Sequence, residues 1–284
     1  MKGDVERGKP IGELETESAS PRFAGLETWP TGEVLAALLG GQAQAMSAVA
    51  AALPQIEAAV EAAAPRLVTG GRLVYVGSGT SGRLGLLDAV ELTPTFGWPR
   101  ERAVAILAGG SAGLSAALEG AEDDDAAGAT AIDEAGIGQN DVLIAIAASG
   151  RTPFTAAAAR RARERGALVV ALANNPGAPL FSEAGFPVLL RTGAEVVAGS
   201  TRLGAGTAQK IALNLFSTAL MVTLGRVSGG RMVSMRATNE KLRQRAGAML
   251  VAMTGCAPQD AENALAECGY DIATALHVVR SDTP

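Results

Sequence analysis

Two short runs of glycine and hydroxyl residues carry the clearest chemical signal in the chain. The first is Gly77-Ser78-Gly79-Thr80-Ser81-Gly82, and the second contains Ser149, Gly150 and Thr152. Hydroxyls beside the free N–H groups of a helix start make a cradle for an anion, because those amides lack internal partners and the helix dipole favours negative charge. A cradle of this kind suits the phosphate monoester of a small molecule. The first run also has the formal GxGxxG spacing of dinucleotide sites, but that fingerprint wants an acidic residue at the end of the next strand. Here the next apolar run ends Ile106-Leu107-Ala108-Gly109-Gly110, which disfavours a nicotinamide cofactor. Neither run ends in Gly-Lys-Ser/Thr, so an NTPase phosphate loop is excluded as well.

Proton transfer would have to come from elsewhere. The chain has a single histidine, His277, and two cysteines, Cys256 and Cys268. A Ser-His-Asp triad or a histidine-rich metal centre would rest on His277 alone, and its neighbours Ala275, Leu276, Val278 and Val279 read as a helix face near the core. Two thiols without a nearby histidine make a poor zinc site and no disulfide framework. No metal is expected, and catalysis must run on carboxylates, hydroxyls, Arg, Lys and backbone amides. On residue type alone, Glu91 reads as the end of an apolar helix, and Glu122 as part of a solvated acidic turn, Glu-Asp-Asp-Asp. Arg83, Arg151 and Lys210 are available to balance a phosphate or carboxylate, although each alone fits a surface charge.

The elements that must hold these residues follow from the pattern of apolar runs. Residues 72–76, 103–107, 141–146, 167–172 and 186–190 are short and β-rich, and helical stretches such as 152–165 fall between them. Continuous apolar strands alternating with helices predict an α/β fold, a five-stranded parallel sheet covered on both faces as a three-layer αβα sandwich. Both glycine-hydroxyl runs then fall at strand C-termini, where open α/β sheets bind ligands. Residues 32–63 read as two helices and 201–226 as one long apolar helix. Residues 254–279 read as a compact three-helix unit broken at Gly255 and Gly269. The apolar fraction of 48% supports a real core, while a net charge of −5 and 4% aromatics argue against nucleic-acid partners. The start lacks an apolar signal core, and no stretch has the unbroken apolar length of a spanning helix, so the expectation is a cytoplasmic protein without a membrane partner.

Several longer stretches, taken together, resemble the N-acetylmuramic acid 6-phosphate etherases, members of the sugar-isomerase (SIS) fold group. They are residues 71–91 around the first glycine run, Pro94-Thr-Phe-Gly97, Glu119-Gly-Ala-Glu-Asp-Asp124, Ala147-Ala-Ser-Gly-Arg-Thr-Pro153, residues 193–202, Ala205-Gly-Thr-Ala-Gln-Lys210 and Ala237-Thr-Asn239. The resemblance runs from about Thr16 to the tail. It implies an SIS-type sandwich over residues 64–228, a helical extension over 1–63 and a small UBA-like helical domain over 229–284.

The implied reaction removes the D-lactyl ether by elimination from the open-chain sugar, followed by addition of water, with no cofactor. That chemistry needs one carboxylate to take the proton from carbon 2 and one carboxylic acid to protonate the departing oxygen. By motif match Glu122 is the base and Glu91 the acid, and burial among Leu92 and Phe96 would keep Glu91 protonated. Glu119 is the nearest rival to Glu122. The resemblance further implies that Ser78, Gly79, Thr80, Ser81, Ser149, Gly150, Thr152, Glu195 and Ser200 bind the phosphosugar, with Ser200 and Thr201 equally suited to cap the long helix. Asn239 is a weaker sugar-contact candidate. It also implies a homodimer with shared active sites. The chain departs from the usual pattern at Ser20 (usually Asn), Gly204 (usually Lys) and Leu92-Thr93-Pro94 (usually Cys-Pro-Pro). An aldose–ketose isomerase and a non-catalytic regulator akin to the glucokinase regulatory protein remain as alternatives on the same fold.

Overall fold

Short runs of Val, Ile, Leu and Ala form strands that can be buried on both faces. In the computed structural model, which describes residues 11–115, 120–234 and 240–281, five such strands form one sheet. They are β1 (Leu73–Gly77), β2 (Ala103–Leu107), β3 (Val142–Ile146), β4 (Leu168–Ala173) and β5 (Phe186–Leu189). All pair in parallel in the order β2-β1-β3-β4-β5. The chain order therefore reverses between β1 and β3, the switch point at which doubly wound sheets open a crevice.

Side chains alternate across this sheet, so each face has its own core. Tyr75, Ile144, Ile146, Val170 and Leu172 face a layer made by α1 (Thr31–Val68), α2 (Gly79–Phe96) and, later in the chain, α6 (Gly204–Thr223). Val74, Val76, Leu143, Ala145 and Val169 face α4 (Asp125–Glu134) and α5 (Pro153–Glu164). The single turn α3 (Ala112–Ser115) lies in the connection after β2. The expected three-layer αβα sandwich is the observed one.

Three differences from the sequence-based expectations have physical causes. The two helices expected over residues 32–63 are one helix of 38 residues, with Pro54 inside it, and the division expected at residue 63 falls within that helix. An interior proline costs roughly 3 kcal/mol. The buried stripe Val49, Ala52, Ile56, Ala59, Val60 and Ala63 runs straight past it, and each large buried residue returns roughly 1.5–3 kcal/mol. Gly41 marks a close approach rather than a break, since a Cβ there would lie 2.8 Å from Val196 Cγ2. By length and composition α1 is also apolar enough to cross a membrane, contrary to expectation. Its second half is packed instead against α6 and the sheet.

The second difference is a tight hairpin, β6 (Val227–Ser228) with β7 (Arg231–Met232), turning through Gly229 and Gly230 at positive φ, the pair of conformations that two-residue hairpin loops require. The third concerns the C-terminal unit. It comprises α7 (Glu240–Thr254), α8 (Pro258–Glu267) and α9 (Ile272–Ser281) around a separate core that includes Ala246, Leu250, Ala261, Leu265 and Ile272. The unit thus begins before Thr254, although Gly255 and Gly269 do interrupt it at positive φ. His277 is exposed on α9 rather than facing the core, where Ala275 and Leu276 point instead.

The starts of β1 and β3 are clamped by one carboxylate. Asp141 accepts from the Arg72 backbone N–H at 2.8 Å, from the Arg72 guanidinium at 2.8 and 3.2 Å, and from Gly138 N–H at 2.9 Å. Burial pushes its pKa up, but the hydrogen bonds from Arg72 and Gly138 outweigh this and hold it below the usual carboxylate value. A depressed folded pKa means that the stabilisation is complete above the unfolded value of about 3.9 and is lost as pH falls through the folded one. Asp141→Asn is therefore expected to lower stability by roughly 1–3 kcal/mol at pH 7. Denaturant titrations should show the gap from wild type closing as pH drops below about 4.

Candidate active site

β1 ends at Gly77, and the chain turns at once into α2. Gly77 and Gly82 allow the strand end and helix start to touch: a Cβ on Gly77 would lie 2.9 Å from Gly82 N and from Ile146 O. Gly79 sits at φ +53°. Gly79, Thr80 and Ser81 are the first residues of α2, whose leading amides have no partner within the helix. Beside them, the loop after β3 carries Ser149, Arg151 and Thr152 to the start of α5. The two loops line a cleft of about 380 Å³ together with Glu122, Asp123, Glu17 and Thr201.

Two buried polar atoms in this cleft lack hydrogen-bond partners among the described residues: Ser78 Oγ and Arg151 Nε. Ser78 occupies the N-cap position of α2 without capping it. A buried unpaired hydroxyl and a buried unpaired guanidinium nitrogen beside free helix amides are the features an oxyanion would satisfy. Other expected contacts are already committed within the fold. Ser81 Oγ donates to Gln209 Oε1 at 2.9 Å, and Gln209 donates on to Asn174 at 2.9 Å. Gly150 does not line the cleft. Its N–H donates to Ala147 O at 3.0 Å, and it holds φ +67° where a Cβ would collide with Ala178.

Glu122 reaches the cleft because its backbone is tied to α5: Phe154 N–H donates to Glu122 O at 3.0 Å. Asp124, two residues on, caps α4 through Ala127 N–H at 2.8 Å. The acidic turn is thus a helix start leaning on the site. Glu119 and Asn239 lie outside the described residues.

Glu91 is elsewhere. It lies twelve residues beyond Gly79 on α2, about 18 Å along the helix axis. Leu92 and Phe96 point into the core while Glu91 is exposed, so the burial expected for it is not supplied by its own chain. Its chain neighbour Asp88 is the buried carboxylate of α2, taking hydrogen bonds from Tyr75, Asn214 and Ser217 at 2.7–3.1 Å. Burial raises its pKa against the opposing pull of those bonds.

Glu195 and Ser200 are not at the cleft wall. Glu195 is buried and accepts from Gly204 N–H and Ala205 N–H, both at 2.8 Å. It therefore caps α6, and Ser200 and Thr201 do not; the helix starts at Gly204, three residues later than expected. Gly204 suits this cap, since a Cβ there would lie 3.0 Å from Glu195 Oε2. Among the cations, Arg151 lines the cleft, Arg83 donates to the carbonyls of Gly113 and Leu114, and Lys210 bonds to Asn214 on α6. Thr201, expected either to cap the long helix or to face the ligand, lines the cleft, whereas Glu17 and Gln209 were not anticipated as site residues. Glu17 belongs to a short irregular turn far from both loops in sequence, and only long-range packing brings it in.

Comparison with known proteins places this geometry. Residues 55–162 match the glucokinase regulatory protein N-terminal SIS domain and residues 129–219 the SIS domain. A phosphoheptose isomerase from Francisella tularensis shares the fold at a TM-score of 0.50 and 19% identity, over 70% of this chain and 100% of its own. The N-acetylmuramic acid 6-phosphate etherase of Deinococcus radiodurans is 56% identical over 93% of this chain and 87% of its own length. That of Rubrobacter xylanophilus is 47% identical over 94% and 88%. With identities this high sustained over nearly the whole of both chains, the chain belongs to the N-acetylmuramic acid 6-phosphate etherase family.

Proposed function

We propose that this protein cleaves the D-lactyl ether of N-acetylmuramic acid 6-phosphate, giving N-acetylglucosamine 6-phosphate and D-lactate in cell-wall sugar recycling. The observation that carries the reading is an oxyanion cradle sharing one cleft with the carboxylate of Glu122 in a chain of this family. The 6-phosphate sits at the amides of residues 79–81, with Ser78 Oγ and Arg151 as further donors. The aldehyde of the open-chain sugar acidifies the proton on carbon 2, and Glu122 removes it. The electron pair moves toward the bond between carbons 2 and 3, and the lactyl oxygen leaves as it receives a proton from Glu91. Water then adds at carbon 3 with the two acids exchanging roles.

The required pair does not meet within one chain, so we assign the acid to Glu91 of the partner subunit in a homodimer. Leu87 and Val90, the exposed neighbours of Glu91, are 49% and 58% exposed. In the same layer Leu35, Leu39, Met46 and Leu53 of α1 and Val222 of α6 also face outward. Leu39, Met46 and Leu53 recur every seven residues, the spacing of a helix seam. A two-fold contact brings one such surface against its own copy, removing the apolar side chains from water and desolvating Glu91. We place the protein in the cytoplasm, where phosphosugars and free thiols such as Cys256 and Cys268 persist.

Purified protein is expected to release D-lactate without added metal or nucleotide, with solvent deuterium appearing at carbon 2 of the product. Glu91→Gln and Glu122→Gln should each lower kcat by roughly 10²–10⁴ while N-acetylglucosamine 6-phosphate still binds. Binding without release would favour the regulator, and interconversion of aldose and ketose phosphates the isomerase. Co-refolding the two variants at equal amounts gives mixed dimers with one intact site each, and should restore about one quarter of wild-type activity if the acids act across subunits. No restoration would place both acids in one chain. Glu195→Ala should lower stability by roughly 1–3 kcal/mol through loss of the α6 cap, read as a lower melting temperature.

A further inference from the structure

Glu17 is a further carboxylate in the cleft that holds Glu122 and Asp123, and no step of the reaction above uses it. Its position is over-determined. Thr16 and Asn175 exchange two hydrogen bonds, Thr16 N–H to Oδ1 at 3.3 Å and Nδ2–H to Thr16 Oγ1 at 2.9 Å. Asn175 also donates to Ala148 O at 3.0 Å, within the loop that carries Ser149. On its other side Thr16 O accepts from Gly199 N–H at 3.1 Å. Glu15 is held outside by the Arg191 guanidinium at 2.6–3.1 Å. A turn of three residues is thereby fastened to both the β3 loop and the loop before α6.

The neighbouring backbone makes room for the carboxylate. Gly199 sits at φ +74°, and a Cβ there would lie 2.9 Å from Glu17 Oε2. The side chain is half-buried, and among the described residues no cation or hydrogen-bond donor pairs with it. A carboxylate only accepts hydrogen bonds when ionised. The cradle claims the anionic end of any ligand, and a second negative charge beside the phosphate is repelled. Glu17 must therefore meet the part of the ligand that carries donors.

We infer that Glu17 is a substrate-binding residue that accepts hydrogen bonds from the hydroxyl and acetamido N–H groups of the phosphosugar. It orients the sugar while the cradle holds the phosphate. The inference rests on the reading of the cleft as a phosphosugar site. Two probes separate the parts: inorganic phosphate, which reports the cradle alone, and N-acetylglucosamine 6-phosphate, which reports cradle and sugar together. In the full chain, Glu17→Ala is expected to weaken N-acetylglucosamine 6-phosphate by about 10-fold or more, the scale of a hydrogen bond to a charged acceptor. Phosphate binding should stay within about two-fold, with an unchanged melting temperature. Glu17→Gln, which keeps one acceptor oxygen, should fall between, and Glu13→Ala on the same segment should match wild type. Unchanged sugar affinity in Glu17→Ala overturns the inference, and so does an equal loss for both probes, which would mark a structural role. Wild-type protein that binds the phosphosugar but releases no lactate sinks the etherase reading, and the two-probe contrast then still decides the role of Glu17.

Discussion

β1 and β3 lie side by side in parallel, level from Leu73 and Val142 at one end to Gly77 and Ile146 at the other. Because the two strands end together, the loops that follow them emerge at the same height. β1 feeds α2 on one face of the sheet, and β3 feeds α5 on the other. The chain must part in opposite directions at that point, and the gap between two diverging helix starts is the cleft. Glycine is required where α2 rides directly on the strand ends, since any side chain at Gly77 or Gly82 would strike backbone. The site is thus a consequence of strand order before it is a matter of particular side chains.

A shell of buried polar residues then holds the loops in place. Asn174 and Asn175 follow β4 and are almost fully buried. Asn174 donates to Leu190 O at 2.9 Å and receives Gln209, which in turn receives Ser81. Asn175 reaches the N-terminal turn through Thr16 and the β3 loop through Ala148. Each amide is satisfied by groups from a different part of the chain. Breaking one bond would leave a buried donor unpaired, which costs more than the bond itself contributes. This network links β4, α2, α6 and the start of the chain around one cleft.

The helical layer on the Glu91 side has a different character. Asp88 anchors α2 to β1 and α6 through Tyr75, Asn214 and Ser217, which fixes the rotation of the helix. With that face buried, Leu87, Val90 and Glu91 have only the outside to point to. In a lone chain the apolar side chains beside Glu91 are left in water, and the proposed dimer would cover them while desolvating the acid.

The sheet, its parallel direction and both glycine loops could be read from local pattern, because continuous apolar runs and glycine-hydroxyl turns are short-range signals. Glu122, singled out as the base by motif resemblance alone, lies in the cleft beside the cradle loops. Helix limits were less accessible: Pro54 and Gly40-Gly41 look like breaks until the buried stripe of α1 outweighs them. The role of Glu195 was also hidden, since only the fold brings its carboxylate to the first amides of α6. Residue identity alone determined what chemistry was available: acids, hydroxyls and amides, with one histidine. Tertiary structure decided which of them share a cleft, drawing in Glu17 and leaving Glu91 on an outer face. Glu17 is held there through Thr16 and Asn175, which lie 159 residues apart, and no local spacing encodes such a contact.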